Sequence, residues 1–132
     1  MKTEILDLTM QAYEASLRGS YEDFLALLDD DVRISLPASI PHGGIYRGKA
    51  GARQLRDRVI AAWADFRVEI LEHLQGSDSV IVLIRLNAVA KATGNSVDMQ
   101  IAEFWRFRAR KVVEIAAYYF DTKAVFDACY KR

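Results

Sequence analysis

The chain has 132 residues, enough for one domain with a single hydrophobic core. Hydrophobic residues make up 52% and charged residues 27%, a composition typical of globular proteins and not of disordered or membrane ones. Eighteen basic side chains balance eighteen acidic ones, so no net charge attracts nucleic acid or an anionic membrane, and we expect neither as a partner.

Processing signals and metal ligands are sparse. Glu4 and Asp7 interrupt the stretch where a secretory signal needs an apolar core, and no apolar run approaches the roughly 20 residues of a membrane span. Cys129 is the only cysteine, so the sequence predicts neither an internal disulfide nor a thiolate metal cluster. His42 and His73 are far apart in the chain. We expect a cytoplasmic protein that needs no metal or cofactor.

The amino-terminal part of the chain predicts two closely linked helices. Residues 3–18 carry apolar side chains at the spacing of an amphipathic helix, and Gly19 ends it. Ser20 then has the position of an N-cap for a second helix. The acidic run at residues 29–31 is expected to stop that helix.

A short strand, a loop and a third helix follow. Apolar and polar residues alternate over 32–36, as in a strand. Residues 37–48 contain two prolines and three glycines and predict a long loop at a pocket rim. A third helix is expected over 49–64, with Trp63 among its core positions and Arg56 facing water.

The rest of the chain predicts strands. Residues 66–75 and 80–92 are rich in β-formers, and a final hairpin spans 97–121. Helices first and antiparallel strands afterwards predict an α+β fold, with three helices packed on one side of a bent sheet.

The final hairpin combines an apolar face with acidic groups. Its first strand places on one face the odd-numbered residues Val97, Met99, Ile101, Glu103, Trp105 and Phe107. If Phe107 faces Lys111 across the turn, the second strand adds to the same face Val113, Ile115, Ala117, Tyr119 and Asp121. The expected surface is apolar and holds two carboxylates.

The order of these elements, with the segments LALLDDDVRISLP and IYRGKAG and the last hairpin, resembles the nuclear transport factor 2-like superfamily, in its SnoaL-like and ketosteroid-isomerase-like branch. The resemblance covers nearly all of residues 1–132 as one domain. It implies a cone-shaped α+β fold whose strongly curved, mainly antiparallel sheet encloses an apolar pocket, commonly in a homodimer. Relatives usually carry Asp-Gly where this chain has Ala109-Arg110. A three-residue loop there would require positive φ at Arg110.

Glu103 is the main catalytic candidate. A carboxylate on an apolar strand face is desolvated, which raises its pKa and makes it a hydrogen-bond donor or a base near neutrality. By resemblance, Glu103 lies where ketosteroid isomerases keep a protonated acid that holds the dienolate oxygen. The alternative is a structural role, in which Glu103 pairs with Arg85 or hydrogen-bonds a tyrosine.

A second acid is harder to find. The resemblance implies a proton-shuttling Asp before the proline that ends the first strand, and Leu36 precedes Pro37 here. SnoaL-type cyclases use a late Asp with a histidine, so Asp121 is the second catalytic candidate, yet the last two strands contain no histidine. Alternatively, Asp121 is a strand-end or capping residue.

The remaining candidates would contact a ligand. Tyrosines can offer a phenol to a ligand oxygen, tryptophans can line a pocket or belong to the core, and His42 is either a titrating group at the pocket mouth or a solvated loop histidine. The predicted contact residues are Tyr13, Leu36, His42, Tyr46, Trp63, Trp105, Ile115, Ala117 and Tyr119.

Two functions remain open from the sequence. One is a cofactor-independent isomerase or cyclase that moves a proton on a small apolar carbonyl compound. The other is a non-catalytic ligand-binding or dimerisation domain, whose second copy would contact the opposite sheet face at Phe104, Ala116, Tyr118 and Phe120.

Overall fold

The structure is a computed structural model that describes residues 2–131. No helix in this range is long and apolar enough to cross a membrane. In chain order the described elements are α1 (Lys2–Leu17), α2 (Tyr21–Ala26), β1 (Leu28–Leu36), β2 (Gly44–Arg47), α3 (Gly48–Ala62), β3 (Trp63–Gln75), β4 (Ser79–Ala90), β5 (Ser96–Arg108), β6 (Lys111–Tyr119) and α4 (Thr122–Tyr130).

The strands form one curved, mixed sheet. Its six strands run in the order β2-β1-β6-β5-β4-β3 without closing into a barrel. Only the β1–β6 pair is parallel among the described strands, and the other pairs are antiparallel. The predicted α+β architecture, with three helices ahead of the long strands and a mainly antiparallel sheet, is confirmed.

Two short elements were not predicted. The strand β2 pairs with β1 within the segment that was expected to be a loop, and four residues among glycines are too few to show a period. The helix α4 follows the last strand directly. Its N-cap is Asp121, whose Oδ1 accepts a hydrogen bond from the backbone nitrogen of Ala124 at 3.1 Å.

Three local predictions need correction. Ser20 is the N-cap residue of α2, but its side chain makes no capping hydrogen bond and instead accepts one from Arg18 Nε at 3.3 Å. The helix α2 already ends at Ala26, before the acidic run 29–31. That run belongs to β1. Trp63 is the buried first residue of β3 rather than part of α3.

One face of the sheet carries the core. Along β4 the even-numbered residues are buried and most odd-numbered ones are exposed or half-buried. Along β5 the odd-numbered apolar residues are buried, and Glu103 shares their parity. This alternation is the period of a strand with one covered face, which the sequence predicted for β5.

The register of the last hairpin differs from the prediction by two residues. At the turn Arg108 rather than Phe107 faces Lys111, which is a shift of one residue. Farther along, Trp105 lies opposite Ile115 rather than Val113, which is a shift of two. A bulge at Val113 adds the second residue of this shift. As a result Val112, and not Val113, is buried. Because a two-residue slip keeps the parity, the later residues of β6 still face inward.

The hairpin turn is backbone-strained. Ala109 and Arg110 have φ values of +49° and +68°, the left-handed conformation of a two-residue type I′ turn. Positive φ at Arg110 was predicted, but for a longer loop. A Cβ atom disfavours this conformation by about 1–2 kcal/mol per residue.

We predict that Ala109→Gly raises the free energy of unfolding by about 0.5–1 kcal/mol, because glycine adopts positive φ without that clash, less the extra freedom it gives the unfolded chain. The control is Ala61→Gly at an exposed position of α3, which should lower it by up to about 1 kcal/mol. Denaturant unfolding measures both variants. A loss of stability in Ala109→Gly would show that the turn is not strained.

Candidate functional site

A cavity of about 390 Å³ lies between the inner face of the sheet and helices α1, α2 and α3. Pockets for small organic ligands have volumes of roughly 300–1,000 Å³. The walls are mostly apolar, with aliphatic or aromatic side chains from every strand except β2. The lining side chains with hydrogen-bonding groups are Tyr13, Ser16, Tyr21, His42, Arg56, Glu103, Trp105 and Tyr119.

Glu103 is the only acid among these lining residues. Its neighbours across the sheet, Val82 and Ala117, are apolar and short, which leaves room beside the carboxylate. The Tyr13 hydroxyl, from α1, donates a hydrogen bond to Glu103 Oε1. Trp105 Nε1 in turn donates to the Tyr13 oxygen at 3.1 Å. This chain of donors holds one carboxylate oxygen, and Oε2 has no protein partner recorded within residues 2–131.

The cavity wall changes the acidity of both partners. Burial raises the pKa of Glu103 above its usual range, and the Tyr13 hydrogen bond offsets only part of that increase because it favours the carboxylate. Burial and the nearby Glu103 charge raise the pKa of Tyr13 far above its usual value. The shared proton therefore stays on Tyr13. The free oxygen Oε2 can donate a proton when Glu103 is protonated and accept one when it is ionised.

The structure decides between the two structural partners proposed for Glu103. Arg85 lies on the outer face, where its Nε and Nη2 bind Asp98 at 2.8 and 2.6 Å, so its pairing with Glu103 is wrong. The tyrosine partner is correct and is Tyr13. Within the described part of the chain, Glu103 thus has one hydrogen-bonding anchor and no neutralising cation at hydrogen-bonding distance.

His42 is not a solvated loop histidine, because only 1% of its surface is exposed. Trp63 Nε1 donates to His42 Nδ1 at 3.2 Å, and His42 Nε2 lies 2.8 Å from the Tyr119 hydroxyl oxygen. Burial lowers the pKa of His42 to about 4, so the ring is neutral at physiological pH. The expected titration near neutrality is therefore not supported.

Tight turns in the segment 37–43 bring His42 inward. Ile40 N donates to Pro37 O at 3.3 Å, and Gly43 N donates to Ile40 O at 2.9 Å. A Cβ atom on Gly43 would lie 1.9 Å from Pro37 O, so only glycine allows this close approach. Tyr46 braces the segment because its hydroxyl donates to the His42 carbonyl oxygen at 3.0 Å.

The structure brings most of the predicted site residues together. The lining includes Glu103 and the predicted contact residues Tyr13, Leu36, His42, Trp105, Ile115, Ala117 and Tyr119. Trp63 lies behind His42, and Tyr46 lies behind the loop. Asp121 is exposed and caps α4, so it does not reach the cavity, and its capping interpretation accounts for it.

The comparison with known families agrees with this geometry. The sequence model of the SnoaL-like domain matches residues 10–115. The chain belongs to the SnoaL-like family. No curated protein sequence matches the SnoaL-like chain, so the family assignment carries no specific activity with it.

Three solved structures share the fold of this SnoaL-like protein. A nuclear transport factor 2-like protein from Burkholderia thailandensis E264 is 25% identical, with 97% of this chain and 98% of that one covered and a TM-score of 0.89. A protein from Jannaschia sp. CCS1, provisionally named a SnoaL-like polyketide cyclase, is 14% identical, with 100% and 95% covered and a TM-score of 0.87. TerC, co-crystallised with polyporic acid, is 19% identical, with 96% and 98% covered and a TM-score of 0.85.

The sequence analysis missed Arg56 and Tyr21 as lining residues of the SnoaL-like domain. Arg56 was expected to face water, and its side chain is 40% exposed with Nη2 3.6 Å from Asp57 Oδ1. It also lines the cavity, with its guanidinium 4.5 Å from the centre of the Tyr21 ring. The Tyr21 hydroxyl donates to Ala52 O at 2.8 Å, which fixes the ring. The signal was available, because Arg56 follows buried Ala52 by four residues and precedes half-buried Val59 by three.

We predict that the pKa of Glu103 lies above the usual glutamate range and rises further in Tyr13→Phe, because that change removes a donor that stabilises the carboxylate. Carbon-13 carboxyl NMR measures both values, with Glu103→Gln for assignment. Tyr118→Phe, on the exposed opposite face of β6, is the control and should leave the pKa of Glu103 unchanged. A Glu103 pKa at or below the usual value would contradict the desolvation of the site.

Proposed function

We propose that this SnoaL-like protein is a cofactor-independent enzyme that binds a small, mostly apolar carbonyl compound and moves a proton on it. The observation that carries the proposal is Glu103, a single acid with one free oxygen in an apolar cavity. The cytoplasmic location expected from the sequence stays a prediction.

The proposed chemistry uses the free oxygen of Glu103. The carboxylate takes a proton from the carbon beside the ligand's carbonyl, which leaves an enolate, and then returns the proton to another carbon. The double bond moves and Glu103 ends the cycle ionised, so atoms and charge balance. A raised pKa brings the carboxyl group closer to the acidity of such a carbon acid, and positioned acid–base groups contribute about 10²–10⁴-fold to rates.

The names of the structural neighbours fit this ligand class. The Jannaschia protein is named for polyketide cyclisation, and TerC was crystallised with polyporic acid. At 14% and 19% identity these proteins share the fold with the present chain, and their names guide the choice of test compounds. We would therefore screen enones and polyketide-like carbonyl compounds.

We predict that Glu103→Gln lowers the turnover of a responsive substrate by about 10²–10⁴-fold, because glutamine keeps the shape and the Tyr13 contact but cannot take up or release a proton. The control is Glu114→Gln on the outward side of β6, which should keep wild-type turnover. Circular dichroism would verify that both variants fold. Unchanged turnover in Glu103→Gln would remove Glu103 from the mechanism.

A second candidate function is ligand binding without catalysis. Leu36 lines the cavity at the position where the resembling isomerases carry the proton-shuttling Asp, so no second acid supports Glu103 from that strand. Binding of a carbonyl compound to the wild-type protein without any conversion, observed by calorimetry and product analysis together, would favour this function.

We also propose that a second copy of the chain covers the outer face of the sheet. Tyr118 is 64% exposed and Phe120 86% exposed there, and Phe104 and Ile81 line a groove beside Tyr118. Burying these apolar side chains against a second copy would remove them from water, and the ion pair of Arg106 with Glu114 lines the same groove.

The expected mass in light scattering at micromolar concentration is 29.8 kDa, twice the chain mass of 14.9 kDa. Phe120→Asp should reduce it toward the monomer mass because a carboxylate would be buried in the contact. Ala61→Asp, at an exposed position of α3 on the helix-covered side of the sheet, is the control and should remain dimeric. A monomeric wild-type protein would contradict the dimer.

A further inference from the structure

Trp63, His42 and Tyr119, the first two buried and the third half-buried next to Glu103, form a hydrogen-bonded series with a defined direction. Trp63 carries the first donor, and an indole N–H donates but never accepts. It points at His42 Nδ1 at 3.2 Å, so that nitrogen presents its lone pair. A neutral histidine with an unprotonated Nδ1 carries its hydrogen on Nε2. The indole therefore selects the tautomer of His42.

The tautomer decides the direction of the next hydrogen bond. His42 Nε2 lies 2.8 Å from the Tyr119 oxygen, so the ring donates and the phenol oxygen accepts. The reverse direction would need the hydrogen on Nδ1, where it would point at the indole hydrogen of Trp63. Both Trp63 and His42 are at most 3% exposed, which keeps water from substituting for either partner.

The hydroxyl proton of Tyr119 has no acceptor in the described part of the protein. Its oxygen already accepts from His42, and within residues 2–131 no hydrogen bond from the hydroxyl to a protein group is recorded. Tyr119 lines the cavity, so the proton points at whatever occupies it. Burial and the charge of Glu103 raise the pKa of Tyr119 far above its usual value, so this proton stays on the phenol.

We infer that Trp63 and His42 fix the Tyr119 hydroxyl as a hydrogen-bond donor to the ligand, which must place an acceptor oxygen, such as a carbonyl or enolate oxygen, against it. In this arrangement Tyr119 contacts the ligand and His42 and Trp63 are positioning residues. The inference rests on the proposed function only for the reaction that follows binding.

The position of Tyr119 relative to Glu103 defines the substrate more closely. Glu103 lies opposite Ala117 and Tyr119 lies opposite Ile101, so the two side chains occupy adjacent inward positions on neighbouring strands. Such diagonal neighbours are about 7–8 Å apart at their Cα atoms. One donor and one base at this spacing fit a carbonyl oxygen on Tyr119 and an acidic carbon one or two bonds away at Glu103.

The first test reads the tautomer without any ligand. His73→Gln leaves His42 as the only histidine, and nitrogen-15 NMR then reports which ring nitrogen carries the hydrogen. We expect the Nε2–H form alone. Adding Trp63→Phe, which keeps an aromatic ring but removes the donor, should give a mixture or the Nδ1–H form. A wild-type ring with its hydrogen on Nδ1 would overturn the inference.

The second test measures whether the Tyr119 hydroxyl donates to a ligand oxygen. It uses 1-indanone and indane, which share a ring system and differ in the carbonyl oxygen. We expect 1-indanone to bind the wild-type protein roughly three- to tenfold more tightly than indane, the worth of one hydrogen bond. Its carbonyl stretch should shift to lower frequency. Tyr119→Phe should abolish both effects, Trp63→Phe should weaken them, and Tyr118→Phe, on the opposite face, should preserve them.

Three outcomes would overturn the ligand assignment: equal affinity for the two compounds, an unshifted carbonyl stretch in the wild-type protein, or no binding of either. Neither test measures turnover. The hydrogen-bonded series of Trp63, His42 and Tyr119 can therefore be absent while Glu103 still catalyses. Conversely, Glu103 can fail to catalyse while the series is present.

Discussion

The structure depends most on the burial of one carboxylate on the inner face of the sheet. An isolated ionised carboxylate in apolar surroundings is strongly disfavoured, so the fold must supply a hydrogen bond or keep a proton on the group. The Tyr13 hydroxyl supplies that bond from α1, and Trp105, two residues from Glu103 on the same strand face, supports the hydroxyl. The same Tyr13 hydrogen bond thus fixes α1 on the sheet and lowers the cost of burying the Glu103 carboxylate.

The loop histidine next to Tyr119 is also buried, but it carries no charge. Burial keeps His42 neutral, and its ring nitrogens are satisfied by Trp63 on one side and Tyr119 on the other. The loop that carries His42 stays in place through its own turns and through Tyr46, which Arg58 Nη1 contacts at 3.0 Å. Among the hydrogen-bonding groups that line the cavity, the free oxygen of Glu103 and the hydroxyl of Tyr119 are therefore held in place before a ligand binds.

The sequence predicted the strand face of the site better than its helices and loops. Period-two alternation placed Glu103, Ile115, Ala117 and Tyr119 on one face even though the register was wrong by two residues, because only parity decides the face. No local pattern reports that His42 points inward, since that depends on turns between residues 37 and 43 and on a partner 77 residues away. Arg56 was missed as a lining residue because its charge was given more weight than its position next to the buried side of α3.

The absence of a carboxylate at Leu36 constrains the proposed chemistry. Glu103 is the only acid that lines the cavity among residues 2–131, so in the proposed reaction one group both removes and returns the proton. Because Glu103 lies on the sheet, it can reach only the side of the ligand that faces the sheet. The proton would therefore leave and return on the same face of the ligand. With Tyr119 beside Glu103 on the sheet, the oxygen that carries the intermediate's charge would be held at the same edge. The helices α1 to α3 would then serve to exclude water and to press the apolar remainder of the ligand against the sheet.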